Sequence, residues 1–340
     1  MRYTLLGNSG LRVSQLALGT MTFGTNWGWG AGEDDALQQV EIFGQAGGNF
    51  LDTASNYTDG SSERIVGKAV AADRDYWVVA TKYTLTSRPD DPNAAGNHRK
   101  NLLRTLETSL RRLGTDHVDV LWLHAWDDLT PVEEVLRALE DQVRLGKILY
   151  IGLSDAPAWV GAYGQALAQL RGWTPFIGLQ VPYSLAERDA ERELVPMARA
   201  MGMGVCGWGP LAGGLLSGKY TPGAQEDGPR RLGSQSPRRL AIAGAVADVA
   251  ATVGATSAQV ALAWVRAQGV IPLLGGRRPE QITDNLRCLD VELSAEHLSR
   301  LDAASGFEIG FPRAFLDSMT GVIHGKGIRE RIDVPAGNRR

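Results

Sequence analysis

Short apolar runs alternate along this chain with longer stretches whose apolar positions recur every three or four residues. Gln15–Gly19, Phe50-Leu51, Tyr76–Lys82, Val118–His124, Ile148–Ser154, Ile177–Val181, Gly204–Trp208 and Val270–Leu274 read as buried strands. The stretches between them read as amphipathic helices. Glu33, Asp34 and Asp35 open the first helix, where acids suit the positive end of the dipole. Ala36, Val40 and Phe43 form its apolar face, and Ala46-Gly47-Gly48 ends it. A second helix runs from Ser62-Glu63 through Val70. Leu102, Leu106, Leu110 and Leu113 stripe a third. Pro131 begins a fourth, carrying Val132, Val135, Leu136, Leu139 and Val143, since proline fits a first helical turn. Further helices are predicted at roughly 156–170, 188–201 and 240–267.

Continuous apolar strands separated by amphipathic helices indicate a parallel sheet covered on both faces. Eight such strand–helix units favour an α/β fold of the closed (β/α)8 TIM-barrel type over an open doubly wound sheet. Ahead of them, Tyr3-Thr-Leu-Leu, a Gly-Asn-Ser-Gly turn and Leu11–Ser14 predict an N-terminal β-hairpin. No Pro/Gly/Ser-rich linker divides the chain, so residues 1–340 are expected to form one domain. From about 306 the periodicity is lost, and a C-terminal tail or lid segment is expected.

Composition narrows the function classes. A net charge of −3 gives no reason to expect a nucleic-acid or membrane partner. No apolar run approaches the roughly 18 residues of a membrane span, and no signal-peptide pattern opens the chain. Cys206 and Cys288 have no metal-ligand spacing and suggest buried thiols in a reducing, cytoplasmic setting. No metal site is expected, and the sequence carries no signal for an oligomeric state.

The candidate chemistry gathers at strand ends. In a TIM barrel the site lies at the C-terminal ends of the strands. Asp52, Lys82, His124, Ser154, Gln180 and Trp208 all fall there, each from a different strand. Any one of them has a structural explanation. A rim carrying all six is what a site needs. Tyr57, just beyond Asp52, adds a phenol of ordinary pKa about 10, which needs a cation or carboxylate to tune it before it can act as an acid. Three other readings fail. Gly213–Lys219 approximates a P-loop, but Tyr220 stands where a Mg²⁺-binding Ser or Thr belongs. No G-x-G-x-x-G follows a strand. Acids at strand ends are too few for a glycosidase pair.

Several segments resemble the aldo/keto reductase superfamily: Gly19–Gly24 (GTMTFG), Gly47–Tyr57 (GGNFLDTASNY), Ser62-Glu63, Thr81-Lys82, Asp119–His124 (DVLWLH), Gly152-Leu-Ser154, Gln180–Tyr183 (QVPY), Gly209–Tyr220 (GPLAGGLLSGKY), and Pro279-Glu-Gln281 with Asn285. The resemblance spans about residues 3–305 and is nearest a bacterial branch close to aryl-alcohol dehydrogenases and potassium-channel β subunits. It implies a TIM barrel that uses NADPH to reduce a small-molecule aldehyde or ketone. Carried over by residue, it implies a catalytic tetrad of Asp52, Tyr57, Lys82 and His124. Tyr57 is then the proton donor, Lys82 lowers its pKa and is itself held by Asp52, and His124 orients the carbonyl.

The resemblance also implies an NADP(H) site. Gly19, Thr20, Met21 and Asp52 would be among its contacts, with Trp208 stacking on the nicotinamide and Ser154 and Gln180 on its carboxamide. Asp155 stands where the family has Asn or Arg, which puts one contact there in question. Gly209, Pro210, Leu211, Ala212, Gly213 and Lys219 would follow the pyrophosphate, with Arg230 clamping from above. Gly275, Gly276, Arg277, Gln281, Asp284 and Asn285 would frame the adenosine end, Arg277 taking the 2′-phosphate because a guanidinium matches phosphate bidentately. Phe23, Trp27, Trp29, Tyr83 and Trp126 are expected to make an aromatic substrate mouth. Thr53 and Ala54 read as spacers. The other function the resemblance permits is an NADP(H)-binding regulatory or redox-sensing subunit with little turnover.

Overall fold

Alternation along a strand decides which side chains meet in the barrel and which meet the helices. In the computed structural model, which describes residues 1–86, 88–220 and 235–333, the strands are β1 (Tyr3–Leu5), β2 (Arg12–Ser14), β3 (Ala17–Gly19), β4 (Phe50–Asp52), β5 (Val78–Tyr83), β6 (Val118–Leu123), β7 (Ile148–Ser154), β8 (Phe176–Pro182), β9 (Gly204–Trp208) and β10 (Ile271–Leu274). β3 to β10 pair in parallel and in sequence order, and β10 closes onto β3. The expected eight-stranded barrel is present. The helices around it are α1 (Glu33–Gln45), α2 (Ser61–Val70), α3 (Arg99–Leu113), α4 (Val132–Arg144), α5 (Ala158–Arg171), α6 (Leu194–Ala200), α7 (Pro237–Val253), α8 (Ser257–Ala267), α9 (Pro279–Leu286) and α10 (Ala295–Ala304). Two short helices, α11 (Arg313–Ser318) and α12 (Thr320–Ile323), follow in the tail.

The helix expected over 240–267 is two helices. Gly254 ends α7 in a left-handed C-cap, and Thr256 starts α8 with a capping box to Gln259. The two axes meet at 97°. Among the described residues no single helix is long and apolar enough to cross a membrane.

Two apolar layers result. Phe50, Val78, Ala80, Val120, Trp122, Ile177, Cys206, Ile271 and Leu273 point into the barrel. Their neighbours Leu51, Val79, Leu121, Leu123 and Leu179 point outward against the helices. Trp122 fills the interior beside Lys82, with which its strand is in register. It fits because β7 and β8 present glycines there. A Cβ on Gly152 would lie 2.2 Å from the indole, and one on Gly178 2.8 Å.

The N-terminal hairpin pairs β1 with β2 antiparallel, as expected. Leu6 and Val13 insert into the interior layer. Gly7, at φ +58, approaches so closely that a Cβ would lie 2.2 Å from the Ile177 carbonyl. Asn8 N–H donates to Gly202 O at 2.8 Å. These contacts lie at the N-terminal ends of β8 and β9, so the hairpin covers that end of the barrel and leaves the strand C-terminal ends as the mouth.

Candidate active site

The loop after β4 departs from ordinary backbone. Thr58, Asp59 and Gly60 have φ of 43°, 54° and 85°, three left-handed residues in succession directly after Tyr57. A β-branched residue there is strained and persists only where its surroundings over-determine it. Thr58 is fully buried; its hydroxyl donates to Phe23 O at 2.5 Å and accepts from Ser62 N–H at 3.1 Å. Arg112 supports the loop from α3, donating to Ser55 O at 2.8 Å and pairing with buried Glu63 at 3.0 Å. Thr81 also donates to Glu63, at 2.8 Å. Thr53 is more than a spacer. Its hydroxyl bonds Ser62 at 2.8 Å and its carbonyl accepts from Lys82 Nζ at 2.9 Å.

This loop brings Tyr57 to Lys82. The Lys82 ammonium is fully buried and donates to Asp52 Oδ2, to Thr53 O, and to Tyr57 Oη at 3.0 Å. It also lies 4.7 Å from the Tyr57 ring centroid. Asp52 Oδ1 accepts from Gln180 Nε2 at 2.8 Å, so both carboxylate oxygens are engaged. The His124 ring meets Tyr57 edge-on at 5.8 Å between centroids. The four expected tetrad residues therefore stand together, and Gln180 is the fifth member of the network.

Electrostatics set the protonation states. Burial alone would pull the Lys82 pKa down, but Asp52 and Tyr57 more than offset it and hold it above the ordinary lysine value. Lys82 is thus a buried cation neutralised by Asp52. As expected, its charge and its hydrogen bond pull the Tyr57 pKa down, but they do not decide the net shift. Burial raises that pKa, Lys82 opposes the rise, Asp52 and Asp155 add to it, and the net shift is upward. Tyr57 rests as a protonated phenol whose oxygen already accepts from Lys82, leaving its own hydrogen to give. Burial, with help from Lys82, pushes His124 down to about 3, so its imidazole is neutral.

The remaining candidates divide. Ser154 Oγ and His124 Nδ1 are buried without a protein partner, as groups awaiting a ligand would be. Trp208 is 41% exposed, and its indole N–H donates to Asp155 Oδ1 at 3.2 Å. Gly209, Ala212, Gly213 and Gly214 all have positive φ, and Gly209 has open space where a Cβ would be. Left-handed backbone of this kind recurs in anion-binding turns; here Ala212 N–H and Gly214 N–H donate within the turn, to Gly209 O at 2.8 Å and Leu211 O at 2.9 Å. Pro210 and Leu211 lie within this turn, and half-buried Lys219 lies at its far end. Gly19 and Met21 reach the surface of the mouth, while Thr20 is buried and donates to Asp52 O at 3.0 Å. Gly275 is open, Gly276 O accepts from Thr22 at 2.6 Å, and Asn285 is buried.

Gln281 and Asp284 are committed internally. Gln281 Oε1 accepts from the backbone of Arg277 at 2.8 Å and Arg278 at 3.2 Å; Asp284 accepts from Gln259 at 2.7 Å and Thr256 at 3.2 Å. The Arg277 side chain remains at the surface edge. Arg230 falls outside the described residues.

Two expected mouth residues are not at the mouth. Tyr83 is fully buried in the sheet–helix layer, its hydroxyl donating to Asn97 O at 3.2 Å. With Lys82 pointing into the barrel, the period of two sends Tyr83 outward. Phe23 is also fully buried, in the same layer. Trp27 and Trp29 do lie at the surface side by side, ring centroids 5.8 Å apart. Trp126 gains a neighbour the sequence reading passed over, exposed Trp159, edge-on at 6.0 Å. Its position four residues past Asp155, at the start of α5, was the available signal. Among the described residues no group of His, Cys, Asp and Glu could hold a metal ion. Both cysteines are buried and unpaired.

Comparison with known proteins finds relatives along most of the chain. The aldo/keto reductase family profile matches residues 15–305. The chain is 38% identical to norsolorinic acid reductase of Aspergillus flavus over 324 residues, covering 92% of this chain and 83% of that protein. It is 38% identical over 338 residues to an aryl-alcohol dehydrogenase of Pestalotiopsis microspora, covering 95% and 87%. An NADP(+) aryl-alcohol dehydrogenase of Phanerodontia chrysosporium is 34% identical over 334 residues, covering 89% and 85%.

Proposed function

The chain belongs to the aldo/keto reductase family, and from that premise we propose how its site works and what it acts on. It is an NADP(H)-dependent oxidoreductase that reduces carbonyl groups. The observation that carries the site assignment is the buried chain Asp52–Lys82–Tyr57 with neutral His124 against the phenol. When bound, NADPH would supply the hydride that the carbonyl carbon takes up. Tyr57 gives its proton to the carbonyl oxygen, and the Lys82 ammonium, 3.0 Å from Tyr57 Oη, stabilises the phenolate left behind. Asp52 keeps that ammonium charged in a dry setting. His124, uncharged, orients the carbonyl by hydrogen bonding. General acid catalysis of this kind contributes roughly 10²–10⁴-fold.

The residues present fit the cofactor. The partnerless Ser154 hydroxyl and the open face of Trp208 suit a nicotinamide; the left-handed run after Gly209, with Lys219, suits a pyrophosphate; Arg277 suits the 2′-phosphate. Gln180 acts in our reading through Asp52. Aryl aldehydes and ketones are the substrate class we infer, supported by Trp27, Trp29, Trp126 and Trp159 at the mouth and by the aryl-alcohol dehydrogenases among the relatives. Those relatives are fungal, and nothing in them favours the bacterial or channel-subunit leaning of the sequence resemblance. A regulatory subunit with little turnover would leave the Lys82–Tyr57 bond and neutral His124 without a task. Two buried free thiols suit the cytoplasmic setting that we retain as part of the proposal.

The test uses purified protein, NADPH and 4-nitrobenzaldehyde, following absorbance of the reduced cofactor. Tyr57→Phe is expected to lower kcat by at least about 10²-fold while NADPH affinity stays close to wild type. Wild-type turnover in Tyr57→Phe would remove Tyr57 as the proton donor.

A further inference from the structure

Among the described residues of the mouth, Asp155 combines a strained backbone with a side chain bonded to another candidate site residue. It follows β7 directly and adopts φ +39. Strand β8 and the loop after β6 hold it there. Its N–H donates to Gln180 O and its carbonyl accepts from Trp126 N–H, both at 3.3 Å. An L-residue in this conformation persists only where the surroundings hold it, and such residues cluster at ligand sites. The nearby cation Lys82 is already matched by Asp52, so the carboxylate is not needed to neutralise it. What it does bond is the indole N–H of Trp208, at 3.2 Å. That ring is partly exposed and has no aromatic partner among the described residues, so this bond is its side-chain polar contact.

We propose that Asp155 is a positioning residue: its carboxylate fixes the Trp208 ring in the orientation that receives the nicotinamide of NADP(H). The inference rests on the cofactor reading above and adds to it how the platform is held. An aspartate here serves in a way that a contact to the ligand alone would not require. It accepts from a tryptophan, the aromatic residue whose ring edge carries an N–H donor. The left-handed backbone aims the acceptor across the mouth from β7 to β9. Because Trp126 bonds the same residue through its main chain, the platform and the aromatic wall of the substrate mouth share one anchor.

The experiment is a double-mutant cycle read as NADPH affinity, from the fluorescence change of the cofactor on binding, without turnover. Asp155→Leu is expected to weaken NADPH binding about tenfold, the scale of one hydrogen bond to a charged group. Asp155→Asn keeps an acceptor oxygen and is expected to stay within about threefold. Trp208→Phe keeps an aromatic face but loses the N–H; in that background Asp155→Leu is expected to cost nothing further. A tenfold loss that persists in the Trp208→Phe background overturns the proposal, because Asp155 then acts without the indole. So does an Asp155→Leu variant that binds NADPH like wild type. Should Asp155→Leu fail to fold, Trp208→Phe carries the test alone, and unchanged affinity there overturns the proposal. Wild-type protein that binds no NADPH would bring down the cofactor reading itself, an outcome separate from any of these.

Discussion

At the scale of single residues, His124 shows how burial sets both chemistry and stability. Its pKa is depressed to about 3 by burial and by Lys82, whereas an unfolded histidine titrates near 6.5. Below that value the unfolded chain takes up a proton that the folded chain refuses. Stability from this group is therefore complete above about pH 6.5 and declines as pH falls toward the folded pKa. Urea unfolding of wild type and His124→Asn at pH 7.5 and pH 5 is expected to show wild type losing more stability between the two. Equal losses would mean that His124 is not held neutral. By the same reasoning, His124 is expected to contribute no limb to the pH–rate profile between pH 5 and 8.

At the scale of elements, the barrel interior is fitted around Trp122, and the fit lies in the neighbouring strands. Gly152 and Gly178 supply the space, and Lys82 stands beside the indole in register. Gly152→Ala would drive a methyl group against the ring. Overpacking of this kind costs about 1–3 kcal/mol, measurable as a lower denaturation midpoint. Combining it with Trp122→Leu is expected to recover part of that loss, and a purely additive double variant would show that the two positions do not share one space. The strands themselves were legible from their apolar runs to within a residue or two. The break between α7 and α8 was marked by Gly254 and Thr256, yet unbroken apolar periodicity on both sides disguised it.

At the scale of the whole molecule, the barrel and its tail are held differently. Arginines gather where the tail begins: Arg188 lies over Phe307 and bonds Asp302 and Ser305, Arg192 donates to Glu308 O, and Arg238 donates to the carbonyls of Ser305 and Gly306. Beyond that clamp, α11 and α12 pack chiefly on each other, and Phe311 is 85% exposed. Truncation after Glu308 keeps the clamp and, among the described residues, removes none that is buried. Its Tm is expected to stay within about 2 °C of wild type. A much larger drop would show that the tail packs on the barrel as a stabilising element.

The sequence by itself determined the barrel and the polar rim, and it named the four residues proposed as the tetrad. Alternating apolar runs and helical stripes are local patterns, and the polar residues closing those runs keep their place whatever lies across the barrel. Only the tertiary structure decided which of them touch. Barrel closure brings Gln180 to Asp52 across 128 positions of sequence and so commits both carboxylate oxygens. Strand alternation, once Lys82 is known to face inward, sends Tyr83 to the helices. Burial decides that Tyr57 rests protonated despite the cation beside it, because desolvation depends on everything packed around a group. And the bond from Trp208 to Asp155 joins the ends of two strands, a proximity that no spacing along the chain expresses.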